Sequence, residues 1–258
     1  MKLGKKRPIR LLATPALGDH LTVPLAHGWP AVKPRGWEYA VDPAKLDMLG
    51  NDTVGDCVIA AMMHYAQADT AHTGQPLTPT TQLALETYAA ITGYDASQTD
   101  ASGNNPTDQG ASWADALQYW KTHGIPMLDA KGNEALHRIT GWAALDLHSI
   151  AQQRYACDVF GGTLMGIQCP QSAMGNTDDW QYLPNSPIEG GHGITRLGQG
   201  AQGWHICSWG KFISGTWGFS LALADEDYIV VTPQWLNAQG QSPSGLDLNG
   251  LLAAMKTL

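Results

Sequence analysis

Charge, cysteine and long apolar runs are all scarce in this chain. Of its 258 residues only 15% are charged, 4 are Cys and 3 are Phe. The cysteines stand at 57, 157, 169 and 207, too few and too scattered for the disulfide framework of a small secreted domain. A reducing compartment is the expectation. No apolar run approaches the roughly 18 residues of a membrane-spanning helix. The segment MKLGKKRPIRLLATPALGDH begins basic, but its apolar stretch at Leu11–Leu12 is soon broken by Thr, Pro, Gly and Asp, which argues against a signal-peptide core. The expected location is therefore cytoplasmic. Lys and Arg number 15 against 23 Asp and Glu, a net charge of −8. That acidic balance argues against a nucleic-acid partner, which needs a basic face.

What the chain does hold is apolar mass. At 43% hydrophobic residues it can build a full core, which excludes disorder as the dominant state, and its length fits one or two domains. Residues 1–50 are rich in Pro and Gly without a sustained period and read as an extended arm packing on a body, with residues 51–258 as that body. From Cys57 the text VIAAMMHYAQADTAH predicts an amphipathic or buried helix of about four turns, ending before Gly74. Further helices are expected over Thr81–Ile91, over Ser112–His123 with Ser112 as N-cap, and over about Leu147–Phe160, ended by Gly161. A polar loop of nearly twenty residues separates the second and third. Beyond residue 160 the runs TLMGIQC, HGITRLG, WHICSWG, TWGFSLAL and DYIVVT read as strands. Helices first and strands afterwards predict an α+β chain, with a helical lobe over about 51–150 and an antiparallel sheet or barrel lobe over about 151–240.

Two residues invite a chemical reading. Cys57, in GNDTVGDCVIAAMMHY, opens a helix, where the helix dipole and free N–H groups stabilise a thiolate, the form that attacks as a nucleophile. The competing reading is a buried thiol that fills space. His192, in IEGGHGITRLG, precedes a strand and is flanked by glycines that allow another backbone to approach closely. Alone it fits a hydrogen-bonded structural residue as well as a base. It lies 135 residues after Cys57, within the spacing of about 130–150 that separates the catalytic pair of papain and the cathepsins.

Over roughly residues 45–235 the chain resembles the papain-like cysteine peptidases. Asn51 stands six residues before Cys57, where that family has Gln, and Gly55-Asp56-Cys57-Val58-Ile59-Ala60 is similar to its nucleophile motif. Gln109-Gly110-Ala111 with the following helix, Gly161-Gly162-Thr163-Leu164, Gly191-His192-Gly193-Ile194, Cys207-Ser208-Trp209-Gly210, Thr216-Trp217-Gly218 and Asp227-Tyr228-Ile229 follow in the family's order. The resemblance implies a two-lobed fold with the substrate in the cleft between the lobes. It implies that Cys57 attacks a carbonyl as thiolate and that His192 carries the paired proton to the leaving amine. It assigns Asn51, one methylene shorter than Gln, to the oxyanion beside the Cys57 N–H. Gly110 would pair with an extended substrate backbone, and Trp209 would shield the pair.

Departures accompany the matches. Cys207 stands where the family has the asparagine that orients the histidine, and a thiol orients an imidazole poorly. Ser208 is expected on the opposite face of that strand from Cys207 and so away from the histidine. Asp225, Glu226, Asp227 and His205 are alternative orienting groups. Val58 replaces the usual tryptophan, and Val54 and Asp108 occupy the positions of a family disulfide, in keeping with an intracellular protein. Residues 1–50 are too short for the family's usual inhibitory propeptide.

The expected function is a thiol hydrolase cleaving peptide or amide bonds through Cys57 and His192, with a peptide or protein substrate. A variant of it acts on peptidoglycan peptides or a small amide. The alternative is a papain-like scaffold with little or no turnover, serving as a binding module or as a virion component if the chain is phage-encoded, since the layout also resembles bacterial and phage proteins. No cofactor and no metal are expected. Asp95, Asp100, Asn104, Asn105 and Asp108 crowd one loop, but their spacing does not match a twelve-residue calcium loop. Cys157 and Cys169 read as buried thiols, and Trp113, Trp120, Trp209 and Trp217 as core or cleft packing.

Overall fold

The computed structural model describes residues 14–21, 37–174, 178–238 and 246–258, so most of the expected arm lies outside the described residues. The central element is α1, Cys57–His72, buried continuously from Cys57 to Thr70. A helix apolar on nearly every face has to sit inside the protein, and this one does. Helix α2 spans Thr81–Thr92, capped by the Thr80 side chain and closed by Gly93 at φ 76°. Helix α3 spans Trp113–Thr122, with Ser112 Oγ accepting from Asp115 N at 3.1 Å. Helix α4 spans Ile150–Phe160 and starts three residues later than expected, because Asp146 draws Ser149 N and His148 N into a turn and Ser149 becomes the cap.

Strands β1 (Ile125–Leu128) and β2 (Glu134–His137) form a hairpin inside the half read as helical. Both are only four residues long, too short for a two-residue period to show. A seven-stranded sheet follows: β3 (Gly141–Ala144), β4 (Thr163–Pro170), β5 (Asp179–Trp180), β6 (Ile188–Gln199), β7 (Gly203–Ser208), β8 (Lys211–Thr216) and β9 (Ala224–Val231). Its order is β3-β9-β4-β6-β7-β8-β5, antiparallel except for the short β5–β8 pair. The sheet is open, with β3 and β5 as edges, and is not a barrel. The fold class is α+β.

Among the described residues there are also four shorter α-helices, α5 (Gln171–Met174), α6 (Trp217–Leu223), α7 (Pro233–Ala238) and α8 (Leu248–Met255), and four 3-10 helices, Leu17–His20, Trp37–Ala40, Pro43–Lys45 and Ala96–Gln98. Helix α6 corrects the strand expected over TWGFSLAL. Thr216 Oγ1 accepts from Phe219 N at 3.3 Å and starts a helix that buries Trp217, Phe219, Ser220 and Leu223. A short apolar window satisfies both periods, and the cap decides between them. Among the described residues no helix is long and apolar enough to cross a membrane.

The sheet separates two cores. Leu197 of β6 and Cys207 of β7 face the core around α1, whereas Ile194 of β6 and Trp204 and Ile206 of β7 face the other, with Trp180, Trp209 and Phe219. Alternation along each strand then assigns the remaining residues to faces. Strand β6 lies directly on the first turn of α1 because Gly193 has no side chain. A Cβ there would stand 3.0 Å from Val58 Cα and 3.2 Å from Val58 N.

Candidate active site

The junction of α1 and β6 places Cys57 next to the histidine strand. Cys57 Sγ accepts a hydrogen bond from Gly193 N at 3.2 Å, one residue after His192. His192 Nε2 lies 2.8 Å from Ser208 Oγ, and its ring stacks on Trp209 with centroids 4.7 Å apart and planes 22° apart. Nδ1 is buried with no hydrogen-bond partner, so Cys57 and His192 are near neighbours without a bond between them.

Ser208 is the orienting contact, and strand parity explains why the residue one position earlier is not. His192 shares its face of β6 with Ile194, and Ser208 shares its face of β7 with Ile206, both on the side away from α1. Cys207 points the other way, into the core around α1. Ser208 does oppose Cys207, as expected, but the histidine lies on the serine's face and not on the cysteine's. A shift of one residue in a strand exchanges faces completely. The other candidates for this role are engaged elsewhere. Asp225 accepts from Gln168, Glu226 accepts from Tyr228 Oη, Asp227 faces Arg196 at 3.2 Å, and His205 Nδ1 pairs with Glu38 Oε2.

Trp209 reaches His192 from an unusual backbone. With Gly210 it forms the two-residue turn between Ser208 and Lys211, and both turn residues have positive φ, 48° and 66°. Among the described residues only one other non-glycine, Leu49 at 55°, adopts such a conformation, and it immediately precedes Gly50 and Asn51. The two turns touch: a Cβ on Gly210 would lie 3.1 Å from Asp47 C and 3.2 Å from Met48 N. Left-handed backbone at a bulky residue is costly and is characteristic of functional sites. Neither turn was legible as strained in the sequence, since the only signal is a glycine beside each.

Asn51 is 2% exposed, and its Nδ2 donates to Val54 O at 3.4 Å within its own turn. Gly110, at φ 75°, gives its N–H to Tyr88 Oη at 2.8 Å. Asp108, placed by the resemblance where papain-like chains carry half of a disulfide, accepts instead from Gly55 N and Tyr88 Oη.

The site is buried. Cys57 is 1% exposed, His192 0% and Trp209 4%. Burial pushes the Cys57 thiol up to about 12, against the hydrogen bond from Gly193, and pushes His192 down to about 3. The pair is therefore neutral as it stands, a thiol and an imidazole. The helix start that favours a thiolate is outweighed by desolvation. Asp56 is raised well above its ordinary value by the same burial, with the Asn51 side chain and its own backbone opposing the shift.

The remaining residues singled out in the sequence have structural roles. Asp100 spends Oδ1 on Ser102 N and Asn104 N, and Asp95 accepts from Ser97 N, so this acidic loop satisfies its own backbone. Among the described residues no cluster of three or more His, Cys, Asp or Glu has metal-binding geometry. Cys157, Cys169 and Cys207 are buried free thiols.

No protein-family model and no curated protein sequence matches the chain. Solved structures do. Xylellain, a cysteine protease from Xylella fastidiosa, superposes with TM-score 0.62 at 15% identity, over 90% of this chain and 97% of its own. Procathepsin B S9 from Trypanosoma congolense gives 0.58 at 8% identity, over 90% and 87%. A cysteine protease from Carica candamarcensis gives 0.53 at 15% identity, over 76% and 97%. The α+β order, the open antiparallel sheet and these superpositions together give this chain a papain-like fold, that of cysteine proteases, in a sequence widely diverged from theirs.

Proposed function

We propose that the chain is a thiol hydrolase acting on peptide or amide bonds. The observation that carries this reading is the convergence at one junction of the α1 thiol, the β6 imidazole and Ser208 on Nε2. With Nε2–H donating to Ser208 Oγ, the Nδ1 lone pair is the free base. The Cys57 proton passes to Nδ1, and the thiolate attacks the carbonyl carbon of the substrate. The Cys57 N–H, first in its helix and without a preceding helical carbonyl, and Asn51 Nδ2 donate to the oxyanion. His192 returns the proton to the leaving amine as the C–N bond breaks, leaving a thioester on Cys57. It then takes a proton from the water that hydrolyses this acyl group. Trp209 keeps solvent from the imidazolium, and the Gly110 carbonyl aligns the substrate backbone. The substrate is a peptide or protein segment that enters when the buried site opens.

The burial of both reacting groups favours a second reading, a papain-like scaffold retained for binding. One experiment separates the two: the pH dependence of Cys57 alkylation by iodoacetamide, with peptide hydrolysis, in the parent, in Cys57→Ala and in His192→Ala. The hydrolase reading expects alkylation with a midpoint below the ordinary thiol value of about 8.5, rising when His192 is removed. It expects hydrolysis to fall on the order of a thousandfold or more in both variants. A midpoint that removal of His192 leaves unchanged, or hydrolysis that survives alkylation of Cys57, sinks it.

A further inference from the structure

A continuous chain of buried hydrogen bonds joins two loops that carry candidate residues. The Gly55 N–H, two residues before Cys57, donates to Asp108 at 3.0 Å to Oδ1 and 3.2 Å to Oδ2. Tyr88 Oη donates to the same Oδ1 at 2.8 Å and accepts from Gly110 N at 2.8 Å. Asp108 is 2% exposed and Tyr88 0%. We propose that Asp108 and Tyr88 are positioning residues that hold the nucleophile turn and the Gly110 segment at a fixed separation, so that attack geometry and binding of the substrate backbone are set together.

Three segments far apart in sequence meet here: the turn before α1, the end of the polar loop, and α2. No disulfide among the described residues holds them together, since all four cysteines are free. Each member of the chain depends on the next. Without Oη, Gly110 N–H has no acceptor and Asp108 loses one of its donors, in surroundings where an unpaired polar group is expensive. In such a buried site each hydrogen bond also polarises its neighbour. Gly110 sits in the left-handed region, so its N–H direction is set by a conformation that other residues adopt at a cost. Tyr88 also packs on Tyr94, with ring centroids 5.1 Å apart, which fixes where Oη points.

What the clamp does for turnover rests on the hydrolase reading; its mechanical role does not. The test is therefore run on the full chain with two readouts, amide hydrogen exchange at Gly55 and Gly110 and the kinetics of peptide hydrolysis. Tyr88→Phe keeps the ring and removes only Oη. Exchange at Gly110 should accelerate about tenfold, the loss of one net hydrogen bond, while Gly55 stays protected. KM should rise more than kcat falls. Asp108→Ala should release both amides and lower kcat as well, whereas Asp108→Asn, which keeps Oδ1, should restore much of the Gly55 protection. If Asp108→Ala fails to fold, Tyr88→Phe and Asp108→Asn decide the matter alone. Release of Gly110 in a chain that hydrolyses nothing upholds the clamp and ends the hydrolase reading. Unchanged Gly110 exchange in Tyr88→Phe, or equal effects on kcat and KM in both variants, overturns the clamp even in an active hydrolase.

Discussion

His137 in the helical half and His192 in the sheet half are both 0% exposed, yet their rings are treated differently. His137 has both nitrogens partnered: Trp120 Nε1 donates to Nδ1 at 3.1 Å, and Nε2 faces Asp69 Oδ2 at 3.0 Å. An indole N–H can only donate, so Nδ1 carries no proton and the hydrogen sits on Nε2, toward the carboxylate. That ring is a finished structural joint. His192 has Ser208 on one nitrogen, Trp209 on its face and nothing bonded to Nδ1. A buried histidine with one nitrogen left open, beside a thiol, holds capacity for a proton that the fold itself does not use.

The contrast can be broken most strongly from the structural side. His137→Ala leaves Asp69 buried without its ring partner, and loss of one partner from a buried pair costs about 3–5 kcal/mol. Urea unfolding at neutral pH should show that loss for His137→Ala and a distinctly smaller one for His192→Ala. Equal losses would erase the distinction between joint and reactive group.

Acid sharpens it next. The native His192 binds its proton only near pH 3, whereas an unfolded histidine does so near 6.5. Between those values the unfolded chain holds a proton that the native chain lacks. Stability from this site is therefore complete above about pH 6.5 and drains as the pH falls, by about 2 kcal/mol at pH 5. The same unfolding experiment at pH 7.5 and pH 5 should show this drain in the parent and its disappearance in His192→Ala. A drain that persists in the variant would place it on other groups.

The smallest expected effect lies at Ser208. Ser208→Ala leaves Nε2 without its acceptor and the ring's tautomer unfixed, so kcat/KM should fall about tenfold with KM little changed. Cys207→Ala, on the opposite face, should leave the turnover of the folded chain, on the hydrolase reading, close to the parent's. A larger kinetic loss at Cys207 than at Ser208 would reverse the assignment of faces.

Much of this molecule was determined locally. Thr80, Ser112 and Ser149 accept from backbone N–H groups three residues on, and Gly93 and Gly161 close helices in the left-handed region, all within a few residues in sequence. The apolar run after Cys57 could only be satisfied in the interior, which made α1 central. The motif order around Cys57, His192 and Trp209 pointed to the fold that the superpositions show. Tertiary structure decided the rest. Which of Cys207 and Ser208 meets His192 depends on the register of β6 against β7, in which Thr195 pairs with Cys207. No local pattern records that, and one residue of slip reverses the answer. The ionisation of Cys57 was likewise beyond the sequence. Its place at a helix start argues for a thiolate, but its burial against β6 removes the water that a charge needs, and desolvation prevails. Local order is written in neighbouring residues; the face a side chain presents and the charge it carries are set by what the whole chain packs against it.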